Sequence, residues 1–321
     1  GVMGIIHRVF DYLLSGSSTV LLPSLGYPRY HKLAKANGVK VETFNFKDNN
    51  SRFSYDLNDL LTKLKKKPDI LVLIDPESPL GFSITNEELD LILEEANPST
   101  LIMLDQAHEG FRETHPKDVE GLIKKYPNLL VARGFSKFYG LAGLRIAYAL
   151  CGTEVKRMIN FKDRYLGFDS FAQKVAIAAL DSEKHYRQNA QLIREEKVKF
   201  SNLIKTLPGY RILESDTSSC VVQVPDEQSE LLRRQAKEAG IAIRHLEEYH
   251  GELKNFYRVT MCPAEQMVLI ADLFHSISWL HDLKIHNLDV NSMINTRDAG
   301  YSVHRKELPC EKSKLLLGWH R

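Results

Sequence analysis

The stretch Gly134–Tyr148 reads GFSKFYGLAGLRIAY and holds a single lysine, Lys137, in a run without Asp or Glu. Ser136 stands directly before it and Arg145 follows eight residues after it, with the small, apolar LAGL between them. A lysine in such surroundings stays partly desolvated, which lowers its pKa and frees the amine as a nucleophile. Ser136 and Arg145 are suited to hold one dianion, the serine by a hydrogen bond and the arginine by a charge-assisted fork. A nucleophilic amine beside a phosphate grip is what a pyridoxal phosphate Schiff-base site requires. The plainer reading is a solvated lysine on a loop, the commonest fate of a lone lysine.

Outward from this stretch, short β-rich runs alternate with helical patterns. Strands are predicted at Thr19–Pro23, Val39–Phe46, Ile70–Asp75, Leu101–Gln106, Leu129–Phe135 and Arg145–Leu150. Helices are predicted at Tyr27–Gly38, Asp56–Lys67, Thr85–Ala96 and Lys117–Tyr126. Continuous apolar runs such as ILVLI and LIML suit a sheet buried on both faces, and the alternation argues for a mostly parallel α/β sheet. The chain opens on an amphipathic helix pattern, Ile5, Ile6, Val9, Phe10, Leu13 and Leu14; Arg8 and Asp11 interrupt it, so it is no signal peptide. From Thr153 to Leu207 the pattern is helical, with Tyr186, Ala190, Ile193, Phe200, Leu203, Ile204 and Leu207 on one face of a long helix stopped by Pro208-Gly209. Beyond it come a strand (Cys220–Val224), a helix (Asp226–Ala239), strands at Ile241–Leu246 and Tyr257–Cys262, and a last helix (Pro263–Leu283). The expected organisation is a large α/β domain over 1–180, a small α+β domain over 181–283 and a polar tail over 284–321.

Asp105 ends the apolar run LIML. An acid at the C-terminal end of a buried parallel strand points into the crevice where α/β folds bind ligands. A helix cap or turn aspartate is the alternative, common at such edges. Lys137, at the end of the next predicted strand, favours the ligand role.

The Lys137 stretch resembles the cofactor-lysine motif of the fold-type I pyridoxal phosphate enzymes, aminotransferases of class I/II. Its SK-x-x-x-LAGLR-x-x-Y form is most similar to the histidinol-phosphate aminotransferase branch. The resemblance spans roughly Gly1 to Leu283 and implies a pyridoxal phosphate transferase-like large domain. It also implies a preceding segment with an arm and a phosphate-binding turn of small residues, the turn lying at or just before Gly1 and Val2. By resemblance, Lys137 forms the Schiff base, Ser136 and Arg145 hold the phosphate, and Asp105 pairs with the pyridine nitrogen. Tyr27, after Pro23-Ser24-Leu25-Gly26, takes the place of the aromatic residue that stacks on the ring. Asp75–Gly81 occupies the place of the N-P-x-N-P-T-G loop, with Ser78 where the family has the asparagine that reaches the cofactor's phenolic oxygen. His108 stands where a tyrosine usually reaches the same oxygen, and is expected to titrate near neutrality. Arg258, in Tyr257-Arg258-Val259-Thr260, matches the arginine that clamps the substrate α-carboxylate; an edge-strand arginine facing water is the alternative.

The activity so implied is transfer of an amino group between an amino acid, or a similar amine, and a 2-oxo acid, in a homodimer. The joint change at Ser78 and His108 keeps a lyase, decarboxylase, cyclase or oxidase on the same scaffold in view. A non-catalytic paralogue is the rival from another class.

Composition sets the outer bounds. The chain has 321 residues, 43% of them hydrophobic and 26% charged, enough apolar content for a buried core. Lys+Arg 43 against Asp+Glu 41 gives a net charge of +2, which offers nothing to nucleic acid or a membrane surface. No apolar run approaches the ~18 residues of a membrane span. Cys151, Cys220, Cys262 and Cys310 are scattered without a CxxC pair, which suits reduced thiols in a cytoplasmic protein better than a disulfide or zinc. The histidines show no metal-binding spacing, and the Lys63–Lys67 run reads as a solvated helix end.

Overall fold

The computed structural model describes residues 1–112, 118–158 and 169–285. By backbone contacts the chain divides into Gly1–Ile277 and Ser278–Arg321; both sheets and the site lie in the first unit. Helix α1 (Val2–Leu13) buries Val2, Ile6, Val9 and Phe10, the face its spacing predicts. It is followed by β1 (Thr19–Pro23), α2 (Pro28–Ala36) and β2 (Lys40–Phe44). A two-stranded ribbon, β3 (Phe46–Asp48) and β4 (Phe53–Tyr55), precedes α3 (Leu57–Leu64). Next come β5 (Ile70–Ile74), α4 (Asn86–Glu95), β6 (Leu101–Asp105), α5 (Val119–Lys125), β7 (Leu129–Gly134) and β8 (Ala147–Cys151). A capping box starts α4: the Thr85 hydroxyl accepts from the Glu88 N–H while the Glu88 carboxylate accepts from the Thr85 N–H.

The large sheet has the order β2-β1-β5-β6-β7-β8. Its strands are parallel except for β8, which runs antiparallel to β7. Side chains along a strand alternate between faces, and here both faces are covered. Leu71 and Leu73 of β5 join one core cluster, with Leu60, Leu89 and Ile92. Ile70, Val72 and Ile74 join another, with Ile6, Phe10 and Tyr30. That double burial is why β5 and β6 read as unbroken apolar runs.

Helices α6 (Thr153–Met158), α7 (Ser170–Asp181) and α8 (Glu183–Ile204) lead into the small antiparallel sheet. It is built from β9 (Arg211–Leu213), β10 (Ser219–Gln223), β11 (Arg244–His245) and β12 (Phe256–Thr260) in the order β11-β12-β10-β9. Between β10 and β11 lies α9 (Asp226–Glu238), and α10 (Ala264–Ile285) follows β12. Val222 and Val259 pack with Phe200 and Ile204 of α8, Leu232 of α9 and Phe274 of α10 in a separate core.

Two strand expectations are corrected. The strand predicted over Val39–Phe46 is two strands, because Asn45 leaves the ladder: its N–H donates to the Asp59 carboxylate at 2.8 Å and its carbonyl accepts from Asp56 at 2.9 Å. The face read from Tyr186 to Leu207 falls on one helix, α8, which Ser182 separates from α7: its hydroxyl donates to the Ala178 carbonyl at 2.8 Å and its N–H to the Ala179 carbonyl. The strand predicted over Ile241–Leu246 shrinks to Arg244–His245, because the Ile241 N–H is taken by the Ala236 carbonyl at the end of α9. The polar tail from residue 286 onward, with Cys310, lies outside the described residues. Cys151, Cys220 and Cys262 form no disulfide. No helix among the described residues is long and apolar enough to cross a membrane.

Gly152 tests the packing where β8 turns into α6. A Cβ there would lie 2.3 Å from the Pro127 carbonyl oxygen and 2.5 Å from its carbon, backbone atoms that cannot step aside. Gly152→Ala is expected to destabilise the protein by about 1–3 kcal/mol. The urea midpoint should fall at an unchanged m value.

Candidate active site

Four parallel strands, β1, β5, β6 and β7, deliver their C-terminal ends to one edge of the large sheet. Asp105 at the end of β6 pairs in register with Ile74 of β5 and Ala132 of β7. The loops holding Tyr27, Glu77, His108 and Lys137 therefore leave the sheet side by side. The strand order reverses between β1 and β5, the place where open α/β sheets form a ligand crevice.

Asp105 is only 6% exposed. Its Oδ2 accepts from the Tyr30 hydroxyl at 2.7 Å and its Oδ1 from the Ala107 N–H at 2.9 Å. Burial still holds the carboxyl above its usual range against both bonds. Among the described residues no cation pairs with it, so a buried acceptor faces the crevice with its countercharge still to come. Tyr30 lies one turn into α2 from Tyr27, the N-cap residue that precedes Pro28. Its ring packs on Phe10 of α1 with centroids 6.5 Å apart.

Lys137 follows β7 on a bend. It is exposed over much of its length, yet it stands deep enough among protein atoms that desolvation is the largest force lowering its pKa, followed by Arg258 and Arg145. The bend is seated by Phe138, which packs edge-on against Phe111 at 5.7 Å. Gly110, at φ +102, makes room for it: a Cβ there would lie 2.5 Å from the Phe138 ring.

Beside the lysine, Ser136, Arg145 and the first turn of α1 converge. A Cβ placed on Gly1 would sit 3.2 Å from Arg145 Nη2 and 3.4 Å from Ser136 Oγ. The Gly1 nitrogen donates to the Arg145 carbonyl at 2.6 Å, and Arg145 Nη1 donates to the Ala142 carbonyl at 2.8 Å. Arg145 adopts the left-handed region at φ +53, a costly state for a side chain-bearing residue that persists where its surroundings impose it. A hydroxyl, a guanidinium and a helix N-terminus around one small-residue gap form a seat for a phosphate.

Across the crevice, Arg258 lies on β12, inside its sheet and not at the edge, with Nε buried and without a hydrogen-bond partner. Burial lowers its pKa, offset by Tyr249, Tyr27 and Glu77. Glu77 has no exposed surface. Its Oε2 accepts from the Leu80 N–H at 2.7 Å, and its Oε1 has no partner. Burial pushes this carboxyl up to about 8. Its neighbour Asp75 is bound by Arg112 at 2.6 Å, an ion pair shut away from water.

The sequence-predicted residues thus fall mostly into one cluster. Arg258 and Arg145 act on the titration of Lys137, Lys137 and Arg258 on that of His108, and Tyr27 on that of Arg258. His108 departs from expectation in its charge. Burial, Lys137 and Arg258 push it down to about 3, so it is neutral at physiological pH and does not titrate there. Its Nδ1 is buried without a partner, an orphaned polar atom beside Lys137. Ser78 stands in the expected loop, but its hydroxyl makes no hydrogen bond to another described residue. Sequence reasoning missed Tyr30, Arg112 and Glu77. For Tyr30 a signal existed, the three-residue spacing from Tyr27; a glutamate between prolines reads as solvated loop.

These residues fit pyridoxal phosphate: an anion seat, a lysine of lowered pKa, a buried carboxylate lacking a cation and an orphaned imidazole nitrogen surround one crevice. The family model described as Aminotransferase class I and II matches residues 3–273. The chain is 28% identical over 246 residues to a histidinol-phosphate aminotransferase of Chlorobaculum tepidum, covering 76% of this chain and 68% of the relative. It is similar in structure to histidinol-phosphate aminotransferase from Sinorhizobium meliloti in complex with pyridoxal-5'-phosphate, at a TM-score of 0.77 and 23% identity, covering 87% of this chain and 75% of that one. It is also similar to L-threonine-O-3-phosphate decarboxylase from Porphyromonas gingivalis, at a TM-score of 0.71 and 19% identity, covering 86% and 81%. At these identities the structural likeness establishes the fold.

Tyr30→Phe isolates the buried hydroxyl. It should cost about 1.5–3 kcal/mol at neutral pH, the range for a hydrogen bond to a charged group. The bond favours the ionised form of Asp105. The cost should therefore shrink as acid protonates that carboxyl, which denaturant titrations at neutral and acid pH would show.

Proposed function

We propose that this chain, which belongs to the aminotransferases of class I and II, moves an amino group between an amino acid and a 2-oxo acid with Lys137 as its central residue. The observation that carries the reading is the meeting of a depressed-pKa lysine, a phosphate seat and a buried, cation-lacking carboxylate at the end of four parallel strands. Pyridoxal phosphate, the cofactor of the family, supplies when bound an electron-withdrawing ring that stabilises negative charge at the substrate α-carbon.

Each side chain then has a task. Ser136, Arg145 and the start of α1 would hold the phosphate. Asp105, fixed by Tyr30 and the Ala107 N–H, would pair with the ring nitrogen and keep it protonated. Tyr27 would pack on the ring, and neutral His108, with Ser78, would serve the phenolic oxygen. Lys137 Nζ would be the amine that holds the cofactor. As an amine of lowered pKa it would also take and return the proton at the substrate Cα, because a base works best when its pKa lies near the operating pH. Arg258 orients the substrate through its carboxylate.

Residues 1–180 are read as the cofactor lobe and 181–283 as the lobe that brings Arg258. A homodimer and a reducing cytoplasm suit the family likeness and the thiols of Cys151, Cys220 and Cys262. Decarboxylation is the second reading, favoured by the joint replacement at Ser78 and His108. Incubation with an amino-acid panel separates the two: a 2-oxo acid product supports transfer, and an amine with carbon dioxide supports decarboxylation.

Lys137→Ala should leave the melting temperature within a degree or two and lower turnover by roughly 10,000-fold. Borohydride should no longer fix cofactor to the protein; fixation retained in Lys137→Ala would remove the lysine from its role. Asp105→Asn should lower kcat far more than substrate affinity, since the ion pair acts where charge develops. Steady-state kinetics on reconstituted enzyme would check this.

A further inference from the structure

Glu77 has no task among these roles, yet it is as fully enclosed as Asp75, the acid of the same loop that Arg112 already binds. Its backbone is fixed by a tight loop, with the Glu77 N–H donating to the Phe82 carbonyl at 2.7 Å and the Gly81 N–H donating to the Glu77 carbonyl at 3.0 Å. One carboxyl oxygen accepts from the Leu80 N–H, and the Ser78 N–H also favours the charged form, though burial outweighs both. The other, Oε1, is buried without a partner, as is Arg258 Nε. The two side chains act on each other's charge but are not joined by a hydrogen bond. Fastening the loop explains Oε2 and leaves Oε1 unexplained. An ionised carboxylate left half-bonded in such a place would be costly, whereas a protonated one is tolerated.

We propose that Glu77 is a positioning residue that keeps a proton beside Arg258, so that the guanidinium stays available to a substrate carboxylate instead of being neutralised from within the protein. The proposal rests on the reading of Arg258 as the carboxylate site. The charged and titratable groups around the pair come from several elements. Arg258 on β12 and Tyr55 on β4 face Glu77, and Asp75 precedes it in the loop, already bound by Arg112. Arg258 is faced in addition by Tyr249, Arg244 and Tyr27. Of these, Glu77 alone has a carboxyl raised to about 8.

The proton balance fixes the sign. Below that pH Glu77 is neutral and a carboxylate ligand meets an uncompensated Arg258. Above it Glu77 has released its proton to solvent, and the ligand must bind against that charge or restore the proton. Affinity for a carboxylate should therefore weaken with rising pH, approaching about tenfold per pH unit, and binding should take up a proton.

The test uses the cofactor-loaded enzyme and maleate, an unreactive dicarboxylate. Dissociation constants are measured from pH 7 to 9, with proton uptake from calorimetry in buffers of different ionisation heat. Wild type should weaken roughly tenfold across that range and take up protons. Glu77→Gln, which mimics the protonated acid, should hold the pH 7 affinity throughout and lose that part of the uptake. Superimposable profiles for wild type and Glu77→Gln overturn the inference while leaving Arg258 in place. Arg258→Gln should abolish maleate binding at every pH; binding retained there overturns the carboxylate reading and the inference with it. A variant-free check is the infrared band of a protonated, buried carboxyl in wild type at pH 7, and its absence also overturns the inference.

Discussion

The parallel register of β5, β6 and β7 is the constraint on which the rest depends. Because Ile74, Asp105 and Ala132 lie opposite one another across the ladder, the loops that follow them open at the same level. Nothing in the crevice needs long-range steering once that register is set. It is set by burial: slipping a strand by one residue would exchange the side chains of the two cores, each of which is packed by its own helices. The stability of the sheet and the assembly of the site are therefore one property. The glycines follow the same logic, since Gly134 lets Val2 approach within 2.9 Å of where its Cβ would be and so brings α1 to the phosphate seat.

On that frame the sequence was most readable where pattern and packing coincide. Thr19–Pro23 emerges with its predicted ends, and Ile6, Val9 and Phe10 form the expected buried face. The place of Asp105 at the buried end of β6 was legible because it follows an unbroken apolar run. Glu77 was not, because its burial is decided by residues far away in the chain. Gly81, two residues beyond Pro79, abuts Ser215, and the Asp216 N–H donates to the Gly81 carbonyl at 2.7 Å. A loop that looks solvated alone is closed over by the approach to the small sheet. The break at Asn45 escaped for a similar reason: an Asp59 carboxylate from α3 takes a ladder donor, and no β-propensity scale contains that contact.

The electrostatics of the crevice are those of a site built around charges it does not itself complete. Arg258 and Arg145 lower the appetite of Lys137 for protons, while Asp105 and Glu77 are held by burial above the usual carboxylate range. Such an arrangement is expensive as a purely structural device, since apolar side chains of similar volume would fill the space at less cost. It is inexpensive if the missing partners are a phosphate, a ring cation and a substrate carboxylate, each of which relieves one of these strained groups.

The same accounting changes what the departures at Ser78 and His108 mean. A histidine in place of a tyrosine suggests a switch near neutrality, but a switch needs its proton within reach, and desolvation with two cations denies it one. His108 is thereby a fixed neutral group, closer to the tyrosine it replaces than its name suggests. Neutrality at that position gives the phenolic oxygen's proposed partner a protonation that is constant across the physiological range. The groups placed to respond to pH in this crevice are then Lys137, through its lowered pKa, and Glu77, through its raised one. In the proposed reaction one would act where the Cα proton moves and the other beside the arginine that would orient the substrate. Chemistry and recognition are thus tuned by separate residues, which is how a site can change the carboxylate it accepts without disturbing the amine that does the work.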